Sequence, residues 1–183
     1  TLHVSTSGTD SAACGTQGAP CRKLDYAVIK ALGGDTLKVA GGTYTFANVP
    51  NLCGGVTVAS VVCVADKSVT IQGGYAPADW TLNPAAYSTL IDGQNTYRGV
   101  HVFSLGGPTV RLTMTNVTIQ NGLAQAPQAD PSAFGGGVSV DVAAVTLDNV
   151  TFLGNRAAGA ATGSGAGGAA AGGGLSIRSS PAG

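Results

Sequence analysis

All nine acidic residues of this chain are aspartate: Asp10, Asp25, Asp35, Asp66, Asp79, Asp92, Asp130, Asp141 and Asp148. Carboxylates paired across a groove could cleave a glycosidic bond, one as acid and the other as base or nucleophile. A tighter cluster could hold calcium. In the sequence the nearest approach to a cluster is Asp141 with Asp148, which Asp92 joins only if separate segments stack. Against this, Asp92 stands before Gly93 and Asp35 after Gly34, as ordinary turn residues do. His3 and His101 each sit between apolar residues and are expected to point outward from strands, with no catalytic partner in view. There is neither a nucleophile elbow nor a Walker-type phosphate loop. The reading is no catalytic residue, no cofactor and no metal ligand.

The cysteines fall as Cys14 and Cys21, then Cys53 and Cys63. Neither pair has the spacing of a zinc site, and no histidine lies close to either in sequence. Two local disulfides, Cys14–Cys21 and Cys53–Cys63, are expected, with buried free thiols as the alternative. Disulfides would imply an oxidising compartment and an exported protein. The first residue is Thr1 rather than Met, which predicts a processed, mature N-terminus.

What must position these residues is a strand-and-turn protein. The chain has 183 residues, 29 of them glycine, no glutamate, and only 10% charged residues against a usual quarter. A formal net charge of zero offers no footprint for nucleic acid. The apolar runs are too short to span a membrane as a helix. Leu24, Ala27, Val28, Ala31 and Leu32 recur at helical spacing, and Gly33-Gly34 ends the run. From Asp35 onward the texture is one of short strands. They are expected at Thr36–Ala40, Val56–Val64, Ser68–Gln72, Thr89–Ile91, Gly99–Ser104, Thr109–Thr115, Val117–Gln120, Val138–Val140, Val145–Leu147 and Thr151–Leu153, after a short opening strand at Leu2–Ser5.

Segments recur. Asn116-Val117-Thr118-Ile119 and Asn149-Val150-Thr151-Phe152 lie 33 residues apart, and Gly135-Gly136-Gly137 and Gly172-Gly173-Gly174 lie 37 apart. Periods of this length predict a solenoid in which each coil buries its inward side chains against its neighbours. The fold expected is all-β, a right-handed parallel β-helix in one domain over 1–183. Residues 1–34 form an N-terminal cap and 35–156 the coils with loop insertions. Residues 157–174 are a Gly/Ala-rich insertion, and 175–183 start an incomplete coil. The amphipathic helix Leu24–Leu32 is placed over the first coil with Leu24, Val28 and Leu32 inward. The sequons at Asn116 and Asn149 could carry glycans. Their recurrence at equivalent positions equally suits asparagines at coil corners, in the left-handed conformation and bonded to one another. Tyr75, Trp80, Tyr87 and Tyr97 could stack sugars or pack an insertion on the flank. Thr113 and Thr115 are read as ordinary outward filler of a strand face.

Leu2-His3-Val4-Ser5, Gly8-Thr9-Asp10, Ala19-Pro20-Cys21, Gly34-Asp35-Thr36 and Gly42-Thr43-Tyr44 resemble the start of secreted bacterial right-handed β-helix repeat proteins. Gly136-Gly137-Val138 and Phe152-Leu153-Gly154-Asn155 are similar to the GGx and FxxN repeats of polymorphic outer-membrane proteins. The resemblance implies a secreted or cell-surface protein of a superfamily that holds adhesins, polysaccharide lyases and structural spacers. A structural or adhesive role is the expectation, with a polysaccharide-active enzyme as the alternative. The partner expected is the chain itself, head to tail in a filament, or the rest of a longer surface protein, with carbohydrate as a further candidate. Gly172, Gly173, Gly174, Leu175, Ser176 and Ile177 are the expected assembly edge, since an open strand edge recruits another strand.

Overall fold

The computed structural model describes residues 1–46, 59–106, 109–125, 133–160 and 169–178. They form a parallel β-solenoid of about four turns. The chain opens with β1 (Leu2–Val4), helix α1 (Leu24–Lys30), β2 (Thr36–Ala40) and β3 (Gly42–Thr45). The next coil is β4 (Ser60–Ala65), β5 (Val69–Tyr75) and β6 (Thr89–Asp92), followed by β7 (Arg98–Phe103), β8 (Val110–Gln120) and β9 (Leu123–Gln125). Above these come β10 (Ala133–Phe134), β11 (Val138–Asp141), β12 (Ala143–Leu153) and β13 (Arg156–Ala158), then β14 (Ala170–Ala171) and β15 (Leu175–Arg178).

Stacking in register builds the core. One wall is β4, β7, β11 and β15 in order, with Val62, Val100, Val138 and Leu175 in a column. A second wall stacks Leu2, Leu37, Ile71, Met114 and Leu147 through β1, β2, β5, β8 and β12. A third stacks Tyr44, Ile91, Ile119 and Phe152. Leu37, Ile71, Ile91, Met114 and Ile119 are all fully buried. Each such side chain contributes about 1.5–3 kcal/mol by leaving water. Alternation puts every second residue on this axis, so a slip of one residue would turn a whole strand inside out.

The expected strand at Thr36–Ala40 is present with those bounds. Two expected pairs of strands are each one continuous strand: β8 turns a corner at Asn116 and β12 at Asn149. Both asparagines hold left-handed backbone, with φ of 56° and 51°. The Nδ2 of Asn149 donates to Asn116 Oδ1 at 2.8 Å, the bonded ladder expected of a coil corner. Strands β3, β9, β10, β13 and β14 were not expected. Part of the Gly/Ala-rich segment is therefore structured: Ala157–Ala158 pair with Ala124–Gln125, and Ala170–Ala171 with Ala133–Phe134.

The base of the stack is closed on two walls. Under β1 runs the segment 14–21, held by the Cys14–Cys21 disulfide. Cys21 N–H donates to His3 O, and Ser5 N–H to Cys21 O. Helix α1 closes the other wall beneath β4, where Asp25 Oδ1 accepts the Cys63 N–H at 3.1 Å. Seven residues cannot hold a helix in water unaided. Packing holds it, through Leu24, Ala27, Val28 and Ala31, each at most 3% exposed. Lys67 Nζ gathers the helix's terminal carbonyls, donating to Val28, Ile29 and Ala31. Leu32 departs from expectation: it is 76% exposed. The helix ends at Lys30 and Ala31 takes extended backbone, which swings Leu32 away from the core one residue before its turn would have come round.

Asp25 is the electrostatic weak point of this cap. Burial pushes its carboxyl up to about 6, against a single lowering hydrogen bond from Cys63 N–H. With the folded pKa raised, the stability linked to this group is fully present below its unfolded pKa of 3.8 and is lost as pH rises through about 6. A shift of that size corresponds to about 2–3 kcal/mol. Asp25→Asn is expected to raise the melting temperature at pH 7.5, leave it unchanged at pH 4, and flatten the profile between. An unchanged pH profile in calorimetric melts would refute this account.

Candidate functional site

Stacking distributes the aspartates instead of gathering them. Asp92 lies on the third wall, where Oδ2 accepts from Gln120 Nε2 at 2.9 Å and Oδ1 from Gln94 N–H at 2.8 Å and Asn121 Nδ2 at 3.2 Å. Burial pushes its carboxyl up, but the three hydrogen bonds outweigh burial and leave it below the ordinary range. Asp148 is exposed on the second wall, in register with Thr115. Asp141 stands on the first wall beside Phe103. The cluster envisaged for these residues does not form. Among the described residues no group of three histidines, cysteines, aspartates or glutamates could hold a metal ion.

Asp141 has partners that sequence spacing did not reveal. Its Oδ2 meets His101 Nε2 at 2.8 Å and its Oδ1 accepts from Arg178 Nε at 2.6 Å. Burial would raise the Asp141 carboxyl, but hydrogen bonds from His101 and Arg178 dominate and hold it down at about 2. The ionised carboxylate can only accept, so His101 Nε2 carries the proton and donates. His101 does project outward from its strand, as expected, yet it is only 5% exposed. The three residues belong to β7, β11 and β15, so a single polar chain crosses three coils. The Arg178 guanidinium also lies over the Phe134 ring at 4.5 Å. Beneath it, Arg98 donates to Gly135 O and Phe134 O, tying the turn to the wall.

Ser139 sits directly beside His101, which completes a set of serine, histidine and aspartate. It is not a nucleophilic triad. Ser139 is fully buried, and neither its Oγ nor His101 Nδ1 has a hydrogen-bond partner. Catalysis of that kind needs contact between nucleophile and base, and a path for substrate. The outward Thr36, Thr70, Thr113 and Thr146 stack in register, a longer column than the sequence suggested. Beside it stand Lys38, Gln72, Thr115 and Asp148, so the face is mixed and charged. A groove of about 250 Å³ at the base is lined by Thr6, Arg22, Lys23, Leu24, Thr43, Tyr44 and Thr45, with no carboxylate. Trp80 is 8% exposed against His3, at 4.5 Å between ring centroids, and donates to Gln17 O. It packs the insertion and offers no open face to a sugar.

The remaining candidate is the upper end. Gly172 and Gly135 both adopt left-handed backbone, with φ of 63° and 62°, so the two triple-glycine turns superpose in the stack. A Cβ at Gly172 would come within 2.2 Å of Leu175 O. Gly173 O and Gly174 O accept from Gly137 and Val138 N–H, and Leu175, Ser176 and Ile177 pair with Val138, Ser139 and Val140. Next to this edge, β12 is paired with β8 alone among the described strands. Its inward Val145, Leu147, Val150 and Phe152 are only partly buried, while Leu112, Met114, Val117 and Ile119 beneath them are at most 2% exposed. Of the expected disulfides, Cys14–Cys21 is formed. Cys53 lies outside the described residues, and no described cysteine is free.

Compared with known proteins, the chain matches no family model, no curated protein and no solved structure. No described helix is long and apolar enough to cross a membrane.

The chain His101–Asp141–Arg178 holds the last described strand down. Because the Asp141 pKa is depressed, its contribution is present above its ordinary 3.8 and disappears as pH falls through about 2. Asp141→Asn is expected to lower stability at pH 7 by about 1–2 kcal/mol in urea titrations, with the difference vanishing near pH 2. Amide exchange should accelerate first at Leu175–Arg178. Uniform acceleration across all walls would show that the pair has no local role.

Proposed function

We propose that this chain is an extracellular or cell-surface structural protein, a rigid solenoid of the adhesin or spacer kind. One observation carries the reading: four aspartates, one after another along the stack, are engaged in joining one coil to another. Asp25, Asp66, Asp92 and Asp141 each accept a hydrogen bond from a different coil or its connecting turn. Asp35 receives the N-terminal ammonium and the Leu32 N–H, and Asp10 receives the N–H groups of Arg22 and Lys23. Such bonds stiffen a rod and leave Asp92, Asp141 and Asp148 without a common face for a substrate. The Cys14–Cys21 disulfide supports an oxidising compartment. The repeat resemblance supports secretion to a bacterial surface. Assembly or continuation of the stack belongs to the open upper end.

The competing reading, a polysaccharide lyase or glycosidase, needs Asp92, Asp141 and Asp148 on one groove, and they stand on different walls. Incubation with a panel of acidic and neutral polysaccharides, with and without Ca²⁺, is expected to release neither reducing ends nor unsaturated uronates. Calorimetry with Ca²⁺ should be silent. Protease treatment of intact cells that express the protein should remove it from the surface. Calcium-dependent depolymerisation, or full protection from the protease, would overturn the proposal.

A further inference from the structure

We propose that the groove at the base is a binding site for an acidic sugar residue, a uronate, whose carboxylate is held by Arg22 and Lys23. The groove is a concavity of about 250 Å³, and every residue that lines it is described. It lies at the foot of the third wall. Among the described strands β3 is the lowest of that wall, while the segment 14–21 and α1 run beneath the other two. Gly42 N–H donates upward to Ser88 O. Bonding residues alternate along a parallel ladder, so Tyr44 also bonds to β6, and Thr43 and Thr45 turn their peptide groups to the lower side. Thr6 closes the Gly42 end, where a Cβ on the glycine would lie 2.9 Å from Thr6 Cγ2. Leu24 and the Tyr44 ring, 2% and 4% exposed, supply the apolar part of the lining. Tyr44 Oη donates to Ala40 O at 2.9 Å, which fixes that ring.

Charge selects the ligand. Five of the nine basic side chains already have partners. Lys30 donates to Ala12 O, Lys67 to the end of α1 and Arg98 to Gly135 O, while Lys38 lies over the Tyr75 ring and Arg178 bonds Asp141. Among the described residues the Arg22 and Lys23 side chains have neither an ion pair nor a hydrogen bond. Asp10 Oδ1 accepts from their backbone N–H groups, at 2.8 and 3.0 Å, and so fixes the turn that carries them. No carboxylate lines the groove itself. A guanidinium fork beside an ammonium suits a planar carboxylate. The hydroxyls of Thr6, Thr43 and Thr45 both donate and accept, as sugar hydroxyls require. Leu24 and Tyr44 suit the C–H face of a ring. A bare inorganic anion would use the cations and leave this hydroxyl rim idle. An extended acidic peptide would need length along β3, which Thr6 stops at Gly42. The volume lies just below the roughly 300–1,000 Å³ of drug-sized pockets, so it suits one sugar residue with the rest of a chain outside. This goes beyond the structural reading above and does not rest on it.

The test titrates the full chain with a glucuronate oligosaccharide, a neutral glucose oligosaccharide of the same length, inorganic phosphate and a short acidic peptide, and reads amide shifts by NMR. The glucuronate sugar should saturate, with the largest shifts at Thr6 and at residues 22–24 and 43–45. It should bind about tenfold or more tightly than the neutral sugar or phosphate. Arg22→Gln combined with Lys23→Gln should weaken it by about tenfold and leave the melting temperature unchanged, since neither side chain bonds to the fold. Thr45→Val keeps the shape of the strand and removes a hydroxyl; it should weaken the sugar and leave phosphate unaffected. Equal binding of phosphate would mark a simple anion site, and a preferred acidic peptide would mark a protein partner; either result overturns the proposal. So do a failure to saturate, shifts centred elsewhere, or affinity that survives the double substitution. The polysaccharide-release and surface-protease assays read the structural reading alone, so the two stand or fall separately.

Discussion

The structure depends on register between parallel strands. No coil encloses a core of its own; each contributes a few inward side chains that leave water only because the coil above and the coil below supply the rest of the wall. Leu37 rests on Leu2 and under Ile71, and Ile71 in turn under Met114. Whatever happens at the corners must preserve that alignment. The corners accordingly collect residues that tolerate left-handed backbone, Asn116, Asn149 and Gly154 among them.

This dependence explains what the sequence made legible. The walls are rich in alternating valine, isoleucine and leucine, and that period shows without a structure. The paired asparagines recur because a corner recurs. Strands β10 and β14 consist of Ala-Phe and Ala-Ala and have no period to read; they exist because a neighbouring coil offers a backbone to pair with. Leu32 was misplaced because helical spacing continues in the sequence after the helix itself has stopped. His101, Asp141 and Arg178 were invisible as a group because they stand 40 and 37 residues apart. Only the pitch of each coil, set by the lengths of its loops, brings them side by side.

The polar residues follow the same logic. In a compact enzyme, loops from several directions can aim carboxylates at one point. A stack of parallel strands arrays its outward residues in columns, with about 4.8 Å between neighbours in a column, and those neighbours belong to successive coils. A charge in such a column meets a partner from the next coil more readily than one across a cleft. Asp141 between His101 and Arg178, and Asp92 among Gln120 and Asn121, are instances.

The closed base has a kinetic meaning as well. The Cys14–Cys21 link and the bonds from Cys21 to His3 and Ser5 join residues close together in sequence, so they form with little loss of chain entropy, whereas α1 meets Cys63 of β4 only across a long loop. The described strand pairs all reach further, Thr89 with Val117 being the shortest and Gly42 with Thr89 the longest. The β1 side of the base is thus where chain entropy opposes pairing least, while every layer depends on a neighbour to complete its wall. A lesion in the middle of the rod would remove part of the wall from the layers on both sides of it.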